Sequence, residues 1–436
     1  MFIDDLLHEV EKSGMGIDIH GIKIGALAYA DDIVLLASTL EEADALLHLV
    51  SDYARKWQFE YNHKKCGVVI YAHSAEDRRT ACEHAWMLCD APIKIVDEYK
   101  YLGLEMGLTN TRRWNSLLKR YTSKACSKAA ILHARGCHRA GLRPRSCVAM
   151  YKATISPTYE FGMELWCASD AQMEELQKVQ DKFGHTVLGL NNYASNTFVR
   201  TELDMLSVKA RKDEMILRWW WRAQHIMNNQ QHRPIAHVLQ CRWKRAVNSE
   251  LMRVPTVGES ENKMHMSVLL NVRDTLRRYG MHQEWLNGIP DTTTKQEWSA
   301  RVLATIQAVE LNDRQEDMLK HQSLCAYMYT EQATSVGRGV AAYLDDVYNR
   351  DAVQIRIQIR AGSLGVLENI GRHHRPQWNE RRRCCRMCGT RCKETIPHFL
   401  LSAPSTIRTE RNLWIVLPLA WTETRINAHR NMDGKL

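Results

Sequence analysis

The stretch Ile24-Gly25-Ala26-Leu27-Ala28-Tyr29-Ala30-Asp31-Asp32-Ile33-Val34-Leu35-Leu36-Ala37 sets two apolar, strand-like runs on either side of two adjacent carboxylates, with no Gly or Pro at the join. This layout predicts a β-hairpin whose tight turn carries Asp31 and Asp32. Both strands are apolar enough to be buried, and two acids between buried strands are costly without a cation or a donor network. A solvated turn is the plain alternative, because Asp is a common turn residue.

Ahead of the hairpin, Phe2, Ile3, Leu6, Leu7 and Val10 follow a helical period that ends near Ser13-Gly14. Behind it, Ser38 precedes Glu41 at capping-box spacing, and Ala43, Leu46, Leu47, Val50, Ala54 and Trp57 mark one helical face. Short strands are predicted at Gly67-Val68-Val69-Ile70-Tyr71, at Ile93-Lys94-Ile95-Val96 and across Tyr99-Lys100-Tyr101-Leu102-Gly103-Leu104. From Thr111 to about Met227 the period is helical, with Met173, Leu176, Val179, Phe183 and Val187 on one stripe broken at Gly189. Arg218-Trp219-Trp220-Trp221-Arg222 could stack bases between cations. Three consecutive aromatics cover most of a helix circumference, however, which favours packing. Residues 229–265 are polar, carry Pro234 and Pro255, and read as a loose connection. A second helical segment runs from about Met266 to Val347, interrupted at Asn287-Gly288-Ile289-Pro290. A strand-like alternation at Val353-Gln354-Ile355-Arg356-Ile357-Gln358-Ile359-Arg360 leads to Ala361-Gly362.

With 436 residues, 45% hydrophobic and 25% charged, the chain can hold two to four globular domains. Its net charge of +9 favours a polyanionic partner, with ordinary solubility charge as the alternative. No apolar run reaches the length of a membrane span, and the acidic start Met1-Phe2-Ile3-Asp4-Asp5 argues against a signal peptide. Thirteen cysteines, nine scattered singly from Cys66 to Cys325 and four crowded between Cys384 and Cys392, make a disulfide framework unlikely to arise by pairing. A reducing, intracellular setting, nucleus or cytoplasm, is expected, with the scattered thiols acting as small buried hydrophobes.

Tyr29-Ala30-Asp31-Asp32 between two hydrophobic strands resembles the catalytic hairpin of reverse transcriptases, in particular those of non-LTR (LINE-like) retrotransposons. The resemblance implies that Asp31 is a direct ligand of Mg²⁺, that Asp32 is accessory, and that Tyr29 shapes the floor beneath the primer end. Asn62 and Lys65 resemble the family's Asn-x-x-Lys segment, and Tyr101-Leu102-Gly103 resembles its primer-grip hairpin; RNA template and DNA primer or target are the implied partners. Gly141-Leu142, Tyr151-Lys152, Pro157, Phe161-Gly162, Trp166 and Leu188-Gly189 resemble the helical thumb region. Ile357 to Gly362 resembles the family's Leu/Ile-x-Leu-Arg-x-Gly run. Two-metal nucleotidyl transfer needs carboxylates holding cations about 3.5–4 Å apart. Neighbouring strand residues point to opposite faces, so one turn does not supply the whole cage. The family adds an Asp from an upstream strand, which should precede Met1; the chain is expected to start in mid-domain and not to polymerise alone.

Near the other end, Cys385-Arg386-Met387-Cys388-Gly389 is a zinc-knuckle half, with His398 following at workable distance and Cys392 or Cys384 as a further thiolate. The resemblance places a fourth ligand where Ala403 stands, so Zn²⁺ binding and a cluster that binds none are both open. Arg372-His373-His374-Arg375 and Arg381-Arg382-Arg383 surround it with cations suited to single-stranded nucleic acid, or to plain solvation. The expected fold is α+β: a partial reverse-transcriptase palm at 1–108, a helical thumb at 109–228, a second helical region at 229–350 and a basic Cys/His-rich end at 351–436. The resemblance implies part of an RNA-directed DNA polymerase. The alternative is a non-catalytic nucleic-acid-binding protein that uses the basic end.

Overall fold

The structure, a computed structural model, describes residues 3–72, 74–107, 110–166, 168–229, 233–251, 268–324, 327–346, 350–364, 368–369, 379–385, 392–393, 395–396 and 398. Short strands and helices alternate first: α1 (Asp4–Lys12), β1 (Ile17–Ile19), β2 (Ile22–Ile24), β3 (Ala26–Tyr29), β4 (Asp32–Leu35), α2 (Leu40–Trp57), β5 (Gly67–Val68), α3 (Ala75–Glu83), β6 (Met87–Leu88), β7 (Ala91–Pro92), β8 (Lys94–Ile95), β9 (Glu98–Tyr101) and β10 (Leu104–Gly107). The remainder is mainly helical: α4 (Asn110–Ala134), α5 (Pro144–Thr154), α6 (Ser156–Glu160), α7 (Asp170–Leu188), α8 (Asn196–Glu202), α9 (Val208–Asn229), α10 (Arg233–Leu251), α11 (Val268–Arg278), α12 (Gln283–Leu286), α13 (Lys295–Leu319) and α14 (Arg350–Arg360). The chain divides into two compact units, one of residues 1–125, 158–176 and 208–306, the other of residues 126–157, 177–207 and 307–436.

In the first unit the N-terminal helical period holds. Leu6 and Val10 of α1 are buried against Leu46, Val50 and Tyr53 of α2, with Trp86, Leu88 and Ile93 completing the cluster. Gly25 lets the strand after β2 pass close to α1, because a Cβ there would sit 2.6 Å from the Met15 carbonyl oxygen and 2.7 Å from Val10 Cγ1. The cap of α2 falls one residue later than its expected box. Thr39 Oγ1 accepts from the Glu42 N–H at 3.2 Å, and Glu42 Oε2 accepts from the Ser38 N–H at 2.9 Å. That backbone bond, ahead of Lys23 at 3.3 Å, holds the Glu42 carboxyl below its ordinary value. Among the described residues the strands form five two-stranded sheets; β5 with β8 is the parallel pair.

The hairpin departs from its expected burial. Ala26, Ile33 and Leu35 lean on the α1–α2 cluster, whereas Leu27, Ala28, Tyr29 and both acids are exposed. An apolar strand of a two-stranded sheet has only one face to bury here, and the composition of the run does not reveal that.

Two further expectations are corrected. Within the polar stretch 229–265, residues 233–251 form a helix, α10, with Pro234 near its start, where its missing N–H costs no intrahelical bond. Its polar residues cover solvent-facing turns, while Ala236 and Val247 are buried. The alternation at 353–360 is the helix α14, not a strand, and it buries Gln354, Ile357 and then Ala361, a helical spacing. The segment after α13 is built of 3₁₀ turns, Gln322–Leu324, Tyr327–Tyr329, Glu331–Thr334 and Ala342–Asp345, rather than continuing as helix towards Val347. The α7 stripe stands as read: Met173, Leu176, Val179, Phe183 and Val187 are all buried. The tryptophan run also packs, with Trp220 fully buried and Trp219 and Trp221 partly so. Of the scattered thiols, Cys137 and Cys147 are buried, but Cys82 and Cys126 are exposed.

Candidate active site

Strands β3 and β4 pair antiparallel with Tyr29 opposite Asp32 and Ala28 opposite Ile33, which leaves Ala30 and Asp31 as a two-residue turn. Ala30 has φ +54°, a left-handed conformation that suits such a turn despite its Cβ. Asp31 therefore sits in the turn itself and Asp32 is the first residue of β4, and both carboxylates are exposed beside the exposed Tyr29 ring.

Asp32 is not isolated from the later motifs. Tyr99 and Tyr101 alternate onto one face of β9, and both phenols are pushed above their ordinary value. For Tyr101 burial is the larger cause and the Asp32 charge the second; for Tyr99 burial comes first, then Cys66, then Asp32. The Tyr99 hydroxyl donates to the Lys65 carbonyl at 2.7 Å. Lys65 in turn closes the Asn62 turn, its N–H donating to the Asn62 carbonyl at 2.8 Å, with both side chains exposed. One face of β9 thus touches the Asn62–Lys65 turn through Tyr99, and both of its phenols feel the Asp32 charge. Tyr99 was not singled out from sequence; the alternation of Tyr99 with Tyr101 was the available signal.

Residues Leu102 and Gly103 form the tip between β9 and β10, where Tyr101 pairs with Leu104. Both have positive φ, +47° and +83°, the signature of a type I′ turn. Two residues outside the motif hold this tip: Arg120 Nη2 donates to the Gly103 carbonyl at 2.9 Å, and the Phe161 ring lies against Gly103. Tyr121, next to Arg120 on α4, donates its hydroxyl to the Phe161 carbonyl at 2.8 Å. A Cβ at Gly103 would meet Phe161 Cε1 at 2.8 Å on a backbone that L-residues resist. Gly103→Ala is therefore expected to weaken the tip by about 1–2 kcal/mol. Hydrogen exchange at the β9–β10 amides should accelerate accordingly, and unchanged protection would refute the turn geometry.

The C-terminal candidates are only partly placed. Cys388 lies outside the described residues, as do Arg372 to Arg375 and Ala403. Cys385 is buried, its N–H donating to the Cys392 carbonyl at 2.8 Å, while Cys384 bridges to Lys393 and Cys392 is exposed. The His398 N–H donates to Thr395 Oγ1 at 3.3 Å. Among the described residues no three His, Cys, Asp or Glu side chains come together as a metal-holding group, and the expected knuckle runs through Cys388, which lies outside them. Arg381, Arg382 and Arg383 belong to a short 3₁₀ turn, Glu380–Arg383; Arg382 is exposed, and Arg383 approaches Glu368 at 3.9 Å.

Residues 1–106 match the family model of the reverse transcriptase (RNA-dependent DNA polymerase). The matched range contains α1, the acidic hairpin, the Asn62–Lys65 turn and the β9–β10 tip. The chain therefore carries a reverse transcriptase domain at its N-terminus. No curated protein matches the chain. The family implies nucleic-acid substrates and a divalent metal, and no helix among the described residues is long and apolar enough to cross a membrane.

Proposed function

We propose that the chain supplies the carboxylate hairpin and primer-facing tip of an RNA-directed DNA polymerase of the non-LTR retrotransposon type. The observation that carries this reading is the pair Asp31 and Asp32, exposed at the end of β3–β4 with the Asp32 charge bearing on Tyr101 beside the Leu102–Gly103 tip. Two exposed carboxylates that form no ion pair among the described residues are a suitable donor set for a hard cation. A bound Mg²⁺ would activate a primer hydroxyl and steady the leaving group. Asp31 and Asp32 would hold it, Tyr29 would flank the primer end, and the Asn62–Lys65 turn and Tyr101–Gly103 would position nucleic acid. Among the described residues no third acid joins the pair, and two-metal catalysis calls for a further carboxylate beside it.

The test uses Tb³⁺ as a probe, because Tyr29 stands directly across from Asp32 and can sensitise its luminescence. Sensitised emission that Mg²⁺ displaces is expected, and it should be lost in Asp31→Asn with Asp32→Asn. The α1 variant Asp4→Asn with Asp5→Asn should keep it. Equal emission from the hairpin variant would remove the metal role.

A further inference from the structure

Helix α10 presents two dissimilar faces. One buries Val247 and is tied into the tryptophan cluster through Trp243, whose Nε1–H donates to the Trp285 carbonyl at 2.9 Å. The other carries Cys241, Lys244, Arg245, Asn248 and Ser249 at helical spacing, and with His20 these line an open groove of about 450 Å³. The His237 Nε2–H donates to the His20 carbonyl at 3.2 Å, so the β1–β2 turn forms one wall of the groove and is fixed to the helix that forms the other.

None of the six lining residues is acidic, and the Asp18 carboxylate at the foot of the β1–β2 turn is taken up by the Gly21 N–H at 3.1 Å. Between 233 and 251 the sequence contains a single acid, Glu250. That carboxylate is engaged elsewhere, by Arg277, by His282 at 2.9 Å and by the Trp285 Nε1–H at 3.1 Å. Lys244 and Arg245 are exposed and, among the described residues, make no ion pair or hydrogen bond with their side chains. Other cations of this unit are neutralised in place: Arg55, Arg78, Arg211, Arg278 and Arg301 all pair with carboxylates. Two unneutralised cations beside an amide and a hydroxyl, on a concave surface, suit a row of phosphodiester oxygens.

We infer that the groove between α10 and the β1–β2 turn is a nucleic-acid backbone site, in which Lys244 and Arg245 contact phosphates and Asn248 and Ser249 add neutral hydrogen bonds. No Phe, Tyr or Trp lines the groove, so backbone contacts rather than base stacking carry the binding. The site does not depend on the metal role of Asp31 and Asp32, which the Tb³⁺ experiment reads separately.

The test titrates fluorescein-labelled single-stranded RNA and a DNA duplex with the full chain at several salt concentrations. In Lys244→Gln with Arg245→Gln, the slope of log K against log salt should fall by about 1.4 for the single strand and about 1.8 for the duplex, two phosphate contacts in each case. A charge-matched control, Lys152→Gln with Lys182→Gln, removes two exposed lysines elsewhere and should leave the slope unchanged. Cys241 gives a second readout: bound nucleic acid should protect it from N-ethylmaleimide, scored by peptide mass mapping, while exposed Cys82 and Cys126 continue to react. An unmoved slope, an equal fall in the control, or unprotected Cys241 would overturn the inference. So would a variant that loses binding to phosphatidylserine vesicles but keeps its nucleic-acid slope, which would reassign the groove to a membrane surface.

Discussion

Arg360→Ala is expected to destabilise the second unit by about 3–5 kcal/mol, because it strands a carboxylate that has no access to water. Glu202, at the end of α8, is fully buried, and Arg360 reaches its Oε1 through both Nε at 3.1 Å and Nη2 at 2.7 Å. The guanidinium also lies over two aromatic rings, 5.0 Å from the Tyr327 centroid and 5.1 Å from that of Tyr343, with Arg356 at 4.3 Å from Tyr343. Burial, then the Glu202 charge, pushes both phenols well above their ordinary value of 10. The sign follows from that direction: neutral phenols stabilise the folded unit fully below pH 10, and this contribution is lost as pH rises past it and the unfolded tyrosines ionise first. Hydrogen exchange should show α8 and α14 protection falling by on the order of 10²- to 10⁴-fold in Arg360→Ala. Glu202→Gln combined with Arg360→Met should recover much of the loss, because no unpaired charge remains. A single variant with wild-type protection would show that the ion pair has no structural weight.

Arg360 also explains the run Ile357-Gln358-Ile359-Arg360-Ala361-Gly362, which from sequence suggested the end of a strand. Val353, Ile355, Ile357 and Ile359 alternate, and alternation is the strongest local cue for a strand. The residues that decide otherwise are distant: Glu202 and the rings of Tyr327 and Tyr343 take up Arg356 and Arg360, one helical turn apart. Nothing within 353–360 reveals those partners. The same limit hid α10, whose buried side is small and whose anchor, Trp243, finds its partner some forty residues on at Trp285.

Legibility was best where one local pattern both chose the conformation and carried the chemistry. Tyr29-Ala30-Asp31-Asp32 forms its hairpin because two apolar strands need only a two-residue turn between them. The α1 and α7 stripes were readable because their 3.6-residue period is long and uninterrupted. What the period did not give was the degree of exposure of Leu27 and Tyr29, or the support that Arg120 and Phe161 lend to the Gly103 tip, because both depend on which elements pack together. The matched reverse-transcriptase range ends at residue 106, and those two supports lie beyond it.

Trp220→Ala should be the most damaging single truncation in the first unit, with an expected cost of about 3–5 kcal/mol. The indole is completely buried, its ring lies 5.6 Å from Trp285 and 5.7 Å from Trp243, and its Nε1–H donates to the Glu284 carbonyl at 3.3 Å. Neighbouring indoles repeat the arrangement: Trp221 donates to the Thr293 carbonyl at 3.1 Å and Trp298 to that of Leu217 at 2.8 Å. Each ring is therefore apolar packing with one polar anchor, which leaves no free face on Trp220 for a nucleobase. The comparison with Trp220→Phe separates packing from stacking. Phenylalanine keeps most of the apolar contact and gives up one hydrogen bond, a loss of about 1 kcal/mol. Hydrogen exchange across α9, α11 and α12 should follow that order, with Trp220→Ala far more open than Trp220→Phe. Nucleic-acid affinity of the folded Phe variant should equal that of the parent. A base-stacking role would instead lower affinity in both variants while protection in Trp220→Phe stayed near wild type, and the buried position of the ring argues for the first outcome.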